Sequence, residues 1–396
     1  MNIRKITDKI HYVGVNDRTT WKFENLWPLP LGISYNSYIV TGSEKIALID
    51  TVEVAEMHSL LGKVKNLIGD RPVDYLVVNH MEPDHSGGIP QLMGLYPSLR
   101  IIGNKQTSLM LKGFYNIPDD RILEIKDFDM ISLGDVSLQF ILTPLVHWPE
   151  TMMTYVKEEK VLFSGDAFGC FGALNGGVVD SDMDTDWYFP EMYRYYSNIV
   201  GKYAKPVQMA LKKTDPLDVS YICSTHGPVW HERIPEVIDI YNRLSLYEGE
   251  TGVTIVYGSM YGHTEEITEI IAARLNEKGI RKIKVHNVAK SDLSYIISDA
   301  FRYKGLIIGS PTYNARLFPP VEAFLTALEV RELKNRAVAT FGSFTWASAA
   351  CRQMKECLGR MKLEEIATMD MKQSLSESDY DAAISIADQI ASSLQS

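Results

Sequence analysis

His80-Met-Glu-Pro-Asp-His85 directly follows the apolar run Val73-Asp-Tyr-Leu-Val-Val-Asn79, which predicts a β-strand. Alternate side chains of an extended segment share one side, so His80, Glu82 and Asp84 are expected to converge, with His85 following at a turn. Taken alone, this hexapeptide is equally well explained as an incidental polar loop. Four side chains of metal-ligating type within six residues nevertheless make it the first candidate for a metal site.

Three further candidates each follow a β run later in the chain. They are His147 after Phe140-Ile-Leu-Thr-Pro-Leu-Val146, Asp166 after Val161-Leu-Phe-Ser-Gly165, and His226 after Val219-Ser-Tyr-Ile-Cys-Ser-Thr225. Taken singly, each has an ordinary structural explanation, a turn-capping carboxylate or a hydrogen-bonded core histidine. Taken together, the converging carboxylates would repel one another and need a cation. The seven residues therefore predict a metal site.

The order of these residues resembles that of the metallo-β-lactamase superfamily. Glu82 stands where the hydrolases of that superfamily usually carry His, and in this respect the chain resembles the flavodiiron proteins. A carboxylate makes the ligand set harder and more negative, which suits iron. The resemblance implies a catalytic diiron centre in which one iron, nearer a flavin, is held by His80, Glu82, His147 and Asp166. It implies that the other is held by Asp84, His85, His226 and the same, bridging Asp166.

A second constellation follows the predicted strand Val253–Tyr257, where Ser259-Met-Tyr-Gly-His-Thr264 opens a predicted helix. Two hydroxyls, the amides freed by a turn at Gly262 and the helix N-terminus together suit a phosphate without Lys or Arg. A plain helix N-cap is the alternative. The spacing resembles the phosphate loop of flavodoxins.

A second loop, Ser310–Asn314, and a third loop, Ser343–Ser348, follow predicted parallel strands. They lie at the sheet edge where open α/β sheets bind ligands. Their aromatic residues can stack on a flat ring, and their amides can bond its polar edge. Together with the first loop, they occur in flavodoxin order and imply FMN. His263, Thr345 and Ser348 depart from the residues common in such loops, so the third loop is expected to differ in backbone. The predicted FMN-binding residues are Ser259, Met260, Tyr261, Gly262, His263, Thr264, Pro311, Thr312, Tyr313, Asn314, Ser343, Phe344, Thr345, Trp346, Ala347 and Ser348.

The two constellations lie in segments of different texture. The first half is strand-rich, a helix is predicted from Pro235 to Tyr247, and Glu248-Gly-Glu-Thr-Gly252 breaks it. Beyond this point strands alternate with helices, which predicts a doubly wound parallel sheet. The sequence therefore predicts an α/β protein of two domains. The resemblance implies that residues 1–250 form a metallo-β-lactamase-like αββα sandwich and residues 251–396 a flavodoxin-like domain.

Composition narrows the classes of partner. The 396 residues carry 40 basic and 50 acidic side chains, a formal net charge of -10, which argues against nucleic acid and anionic membranes as partners. The four cysteines form no C-x-x-C pair, so no rubredoxin-type iron site is expected within the chain. The start of the chain has no apolar leader-like run, and no run is long enough to span a membrane, so a cytoplasmic location is expected.

The resemblance implies an oxidoreductase that reduces dioxygen to water or nitric oxide to nitrous oxide, with FMN passing electrons to the iron pair. The external donor would be a rubredoxin-like protein or a reduced deazaflavin. A head-to-tail homodimer, or a homotetramer built from such dimers, would bring the FMN of one subunit beside the irons of another. The alternatives are a zinc hydrolase fused to a flavodoxin electron carrier and a pure electron carrier. The sequence leaves open whether dioxygen or nitric oxide is preferred, which electron donor is used, and whether the protein is a dimer or a tetramer.

Overall fold

The computed structural model describes residues 3–395. Its strands are β1 (Arg4–Lys5), β2 (Ile10–Tyr12), β3 (Val15–Asp17), β4 (Lys22–Phe23), β5 (Trp27–Pro28), β6 (Ile33–Tyr35), β7 (Tyr38–Thr41), β8 (Ile46–Ile49), β9 (Tyr75–Val77), β10 (Arg100–Gly103), β11 (Ile122–Glu124), β12 (Met130–Ser132), β13 (Ser137–Leu142), β14 (Met152–Val156), β15 (Val161–Gly165), β16 (Tyr221–Ser224), β17 (Glu250–Tyr257), β18 (Ile283–Asn287), β19 (Tyr303–Tyr313), β20 (Arg316–Leu317), β21 (Ala337–Phe344) and β22 (Glu365–Lys372).

The α-helices connect these strands and cover their faces. They are α1 (Met57–Ile68), α2 (Pro83–Ser86), α3 (Ile89–Leu95), α4 (Lys105–Tyr115), α5 (Tyr188–Tyr195), α6 (Ala204–Thr214), α7 (Ile234–Ser245), α8 (His263–Glu277), α9 (Leu293–Arg302), α10 (Pro319–Val330), α11 (Ala350–Met361) and α12 (Glu377–Gln395). A π-helical turn, Tyr196–Val200, follows α5, and short 3-10 turns occur at Val54–Glu56, Asp119–Arg121, Asp180–Asp182 and Gly201–Tyr203. None of the helices within residues 3–395 combines the length and the apolar character needed to cross a bilayer.

Two mixed sheets form the first half of the chain. The larger has the strand order β1-β2-β7-β8-β9-β10-β11, and the smaller has the order β12-β13-β14-β15-β16. Tyr38 of β7 packs against Phe163 of β15 with 5.2 Å between ring centroids, so the inner faces of the two sheets meet. Thr154 of β14 ties them further by donating to the Asn79 side chain at 2.8 Å. The metallo-β-lactamase-like architecture predicted from the sequence is confirmed.

The second half of the chain is built on one parallel sheet. Its strand order is β18-β17-β19-β21-β22, with the short β20 pairing antiparallel to β19. This is the flavodoxin-like order, in which the chain reverses direction across the sheet beside β17. Helices α8 and α12 bury one face through Ile267, Ile271 and Ile390. The predicted doubly wound sheet is confirmed.

The described residues divide into two compact units. The first comprises residues 3–195 and Lys205–Asn242, and the second comprises Tyr196–Ala204 and residues 243–395. Residues 1, 2 and 396, at the outer ends of the two predicted domains, lie outside the described range. The helix predicted for Pro235–Tyr247 spans Ile234–Ser245. The domain boundary after residue 250 stays a prediction. The first strand of the second sheet, β17, begins at Glu250.

Candidate metal centre and flavin site

The first four metal candidates lie on a strand end and a short helix. Asn79 and His80 follow β9, and the backbone N–H of Asn79 donates to Asp50 at 2.7 Å, which fixes where the chain leaves the sheet. Asp84 and His85 lie in the one-turn helix α2, which has Pro83 in its first turn. The prediction that Asp84 continues an extended segment is therefore wrong: proline, whose fixed backbone angle suits the start of a helix, begins one here.

The other three candidates lie where the sequence predicted them, after strands of the smaller sheet. Asp166 follows β15 and His226 follows β16 by two residues, and these two strands are parallel neighbours. His147 lies in the turn between β13 and β14. All seven side chains are buried.

The seven side chains converge as two adjoining groups. Within each, one ligand atom per residue lies within 4.8 Å of all the others. The first group comprises His80, Glu82, His147 and Asp166, and the second comprises Asp84, His85 and His226. The two carboxylate oxygens of Asp166 face different groups: Oδ2 lies 3.1 Å from His147 Nε2, and Oδ1 lies 3.1 Å from His85 Nε2.

The spacing fits two ligand sets that share a carboxylate. Two atoms about 2.1 Å from one ion, at an angle of about 90–109°, lie roughly 3.0–3.4 Å apart. His80 Nε2 is 3.2 Å from Glu82 Oε2 and 3.4 Å from Asp166 Oδ2. Asp84 Oδ2 is 3.2 Å from His85 Nε2 and 3.4 Å from His226 Nε2.

Several polar atoms here have no hydrogen-bond partner within the described protein. They include both carboxylate oxygens of Asp84, the Nε2 atoms of His85 and His226, and the hydroxyl of Tyr195. The Tyr195 ring packs 5.6 Å from that of His226. A buried polar group without a partner costs roughly 1–3 kcal/mol, so such a cluster indicates that something else satisfies it. Metal ions would satisfy the lone pairs of the Asp84 carboxylate and of the two imidazole Nε2 atoms.

Further residues fix the orientation of the imidazoles. His80 Nδ1 lies 2.8 Å from Glu150 Oε1, and His226 Nδ1 lies 2.8 Å from the backbone oxygen of Ser34. Donation from Nδ1 leaves Nε2 as the lone-pair atom that faces the cluster, the arrangement typical of metal-binding histidines. The Thr225 hydroxyl donates to Asp166 Oδ1. Sequence reasoning missed Glu150 and Ser34.

Electrostatics in the metal-free cluster favours charged pairs. Burial lowers the pKa of His80, but the carboxylates of Asp166, Glu150 and Glu82 raise it well above its usual value. Burial also lowers the pKa of His85 and of His147, and neighbouring carboxylates outweigh this effect and bring each to about 9. Burial raises the pKa of Asp166, but the histidines hold it well below its usual value. The protons on the histidines therefore occupy the electrostatic role that metal cations would take.

The predicted flavin residues surround a cavity of about 320 Å³ in the second unit. Its lining includes Ser259, Met260, Tyr261, His263, Thr264, Pro311, Thr312, Tyr313, Asn314, Ser343, Phe344, Thr345 and Trp346, all predicted from the sequence, together with Gln373, which was not. Gly262, Ala347 and Ser348 lie outside this lining. Gln373 was missed because it follows β22, a strand whose end carried no recognisable loop motif.

The first loop has the backbone of an anion site. Gly262 has a φ of +99°, which L side chains rarely adopt, and its N–H donates to Ser259 Oγ at 3.1 Å. Helix α8 begins at the next residue and points its N-terminus at the loop. The Thr264 hydroxyl is buried and lies 2.9 Å from Ser343 Oγ.

Aromatic side chains at this cavity are exposed. Tyr261 and Trp346 are each 88% exposed, and Tyr313 is 42% exposed. Among the described residues that line the cavity, none is Lys or Arg. The hydroxyls and the helix N-terminus suit a phosphate group, and the exposed aromatic faces can stack on a planar ring. Together these features fit a flavin mononucleotide.

Comparison with known proteins supports the fold predicted for each half of the chain. The model of the ODP family of beta-lactamases matches residues 33–227, and the flavodoxin model matches residues 255–386. The anaerobic nitric oxide reductase flavorubredoxin of Escherichia coli is 31% identical over 350 residues, which cover 87% of this chain and 73% of that protein.

Two solved structures extend the similarity over both units. The rubredoxin oxygen:oxidoreductase of Desulfovibrio gigas has a TM-score of 0.94 and 27% identity, covering 100% of this chain and 99% of the other. A flavo di-iron protein variant from Thermotoga maritima has a TM-score of 0.90 and 26% identity, covering 99% and 98%. With this pairing of domains and a buried cluster of His, Glu and Asp in the first of them, the chain belongs to the flavodiiron proteins.

Proposed function

We propose that this protein is an oxidoreductase that uses FMN and two iron ions to reduce dioxygen to water, nitric oxide to nitrous oxide, or both. The observation that carries the proposal is the shared Asp166, whose two oxygens face two separate groups of buried ligands. The relatives named above carry nitric oxide reductase and oxygen oxidoreductase in their names. Bound FMN and iron would supply the electron transfer, four electrons per dioxygen or two per pair of nitric oxide molecules.

The residues of this chain would hold and orient these groups. His80, Glu82, His147 and Asp166 would bind one iron, and Asp84, His85, His226 and the other oxygen of Asp166 would bind the second. Glu150 and Ser34 would keep the Nε2 atoms of His80 and His226 turned toward the metals. The first flavin loop would bind the FMN phosphate, and the aromatic residues would flank its ring.

We further propose that the functional unit is a head-to-tail homodimer, in which the FMN of one subunit lies beside the iron pair of its partner. A homotetramer of two such dimers is compatible with this arrangement. The electron donor is proposed to be a rubredoxin-like protein or a reduced deazaflavin. The name of the Desulfovibrio gigas relative, rubredoxin oxygen:oxidoreductase, supports the first of these.

Metal and flavin analysis of protein from iron-replete cells tests the cofactors. We expect about two iron ions and one FMN per chain, and consumption of dioxygen or nitric oxide when a donor is supplied under controlled gas. Zinc at full occupancy in protein that still consumes these gases rapidly would contradict the iron assignment. Zinc in a protein without reductase activity would instead favour the hydrolase alternative.

Asp166→Asn tests the shared carboxylate. The substitution keeps the shape and removes one negative charge, so the variant should lose most of its iron while its FMN content stays normal. Metal analysis and the visible flavin spectrum of the same sample measure both quantities. Retention of two irons together with full reductase activity would show that this ligand set is wrong.

A further inference from the structure

The third flavin loop, Ser343–Ser348, is anchored to neighbouring elements at both ends. The hydroxyl of its first residue lies 2.9 Å from Thr264 Oγ1 in the phosphate loop. Just beyond its last residue, Thr312 Oγ1 accepts from the backbone N–H groups of Ala349 and Ala350 at 3.1 and 3.2 Å. All three flavin loops are therefore connected through threonine hydroxyls.

An acidic residue on the next strand provides a further anchor. Asp370 of β22 pairs in register with Gly342 of β21, beside the point where the third flavin loop begins. The Ser348 hydroxyl donates to Asp370 Oδ2. Asp370 Oδ1 is buried and has no hydrogen-bond partner within the described protein. The carboxylate is thus only half satisfied, although it lies at the ligand-binding edge of the sheet.

Gly342 is required for this approach. A Cβ atom at that position would lie 2.5 Å from Asp370 Oδ1 and 2.8 Å from Cys351 Sγ, both far inside van der Waals contact. Asp370 therefore lies on the face of the sheet where α11 begins, and a helix N-terminus favours a nearby negative charge. Within residues 3–395, no Lys or Arg nitrogen forms an ion pair with Asp370. Its charge is left without a cationic partner.

We propose that Asp370 is a positioning residue of the flavin site, which fixes the third flavin loop through Ser348 and opposes negative charge on the reduced flavin. The proposal rests on the proposed binding of FMN. Bound FMN would gain negative charge where it takes up an electron without a proton. A fixed carboxylate without an ion-pair partner would disfavour that added charge and so lower the potential of the second one-electron step.

The charge effect is tested by Asp370→Asn in the full-length, iron-loaded protein. Asparagine keeps the shape and can still accept from Ser348, so the loop should stay in place while the charge is removed. The equilibrium for the second electron is expected to move toward hydroquinone by about tenfold, which corresponds to about 59 mV for a one-electron couple. A redox titration followed through the flavin absorption bands measures both steps separately.

Asp381→Asn is the matched control, because it removes the same charge from an exposed position on α12 of the same unit. It should shift neither potential. Equal shifts in the Asp370 and Asp381 variants, or no shift in either, would overturn the charge effect. Wild-type protein that binds no FMN would instead contradict the proposed function itself.

The loop-fixing effect is tested by Ser348→Ala, which keeps the carboxylate and removes its contact with the loop. FMN affinity is expected to fall about tenfold, measured by equilibrium titration of flavin-free protein, with a smaller change in the second potential than Asp370→Asn gives. An unchanged affinity would overturn the positioning role. Because Ser348 is an exposed residue, this variant also decides that role if Asp370→Asn fails to fold.

Discussion

Glu150 shows at the scale of one residue how the metal cluster is prepared. It is fully buried, and its Oε1 lies 2.8 Å from His80 Nδ1 and accepts the backbone N–H of Met81 at 2.9 Å. Sequence reasoning found His80 because ligands of this type stand close together after a strand. It could not find Glu150, which lies in the turn after His147 and carries no periodic signal. Its role depends on contact with a residue 70 positions earlier.

Glu150→Gln should weaken metal binding without removing a ligand. The amide keeps the shape but loses the charge that holds the His80 ring and raises its basicity, so affinity for iron should fall ten- to a hundredfold. Competition with a chelator measures this change. The control is Glu158→Gln, which changes an exposed acid in the turn between β14 and β15. It should leave the affinity for iron unchanged. Equal retention of iron in both variants would contradict the role assigned to Glu150.

The histidines predict how the metal-free protein responds to pH. The pKa values of His85 and His147, about 9, lie above the ordinary value of 6.5, so protonation is favoured in the folded state. Their contribution to stability is therefore fully present below pH 6.5 and is lost as the pH rises through 9. Iron must displace these protons, so metal uptake should release protons and strengthen from pH 6 to pH 9.

Thermal unfolding of the chelator-treated protein measures the first effect, and iron titration in a weakly buffered solution with a pH indicator measures the second. The melting temperature of the metal-free protein should fall between pH 6.5 and 9.5, whereas that of the iron-loaded protein should change less. A metal-free protein that became more stable over this range would contradict the assigned protonation states.

At the scale of elements, strands were easier to predict than the turns that present the ligands. Strands β9, β15 and β17 lie within three residues of their predicted bounds, because alternation and β-branched runs report burial directly. The one-turn helix α2 was missed even though Pro83 stood at its start. Four residues are too short to establish a helical period. The third flavin loop follows β21, but the contact of its Ser348 with Asp370 on another strand carries no signal in the sequence.

The start of α8 gives a prediction at this scale. Thr264→Val removes a buried hydroxyl from the phosphate loop while keeping the side-chain shape, so FMN affinity should fall about tenfold or more, since bonds to a charged group contribute roughly 1.5–3 kcal/mol. Iron content should not change. Thr268→Val is the matched control, because the Thr268 hydroxyl donates to the backbone oxygen of Thr264, one turn earlier in the same helix. Similar FMN affinities in the two variants would contradict the phosphate assignment.

At the scale of the whole molecule, each of the two units holds one of the two candidate sites. The fold was predictable, and the candidate site residues could be named, because each candidate site follows strand ends in a recognisable order. Subunit assembly was not, because an isologous contact needs no motif in the sequence.

Mixed dimers test the relay between subunits. One chain carries His226→Ala and is impaired at the irons, and the other carries Ser259→Ala, Gly262→Ala and Thr264→Ala and is impaired at FMN. If electrons cross between subunits, activity should reappear after subunit exchange, because a mixed dimer has one intact FMN facing one intact iron pair. Co-purification through a tag and cofactor analysis of each parent must show exchange and folding. Verified mixed dimers without activity would reject the relay.

The ligands of the metal cluster come from four separate segments, from His80 near the end of β9 to His226 after β16. Such non-local contacts form late in folding, because the chain loses conformational entropy when long loops close and the contacts stabilise it only afterwards. The cluster is therefore complete only once both sheets of the first unit have docked, and iron cannot serve as an early folding nucleus. Tight iron binding would therefore report that the first unit has folded completely. A nascent chain would bind the metal weakly until the last ligand-bearing strand had joined its sheet.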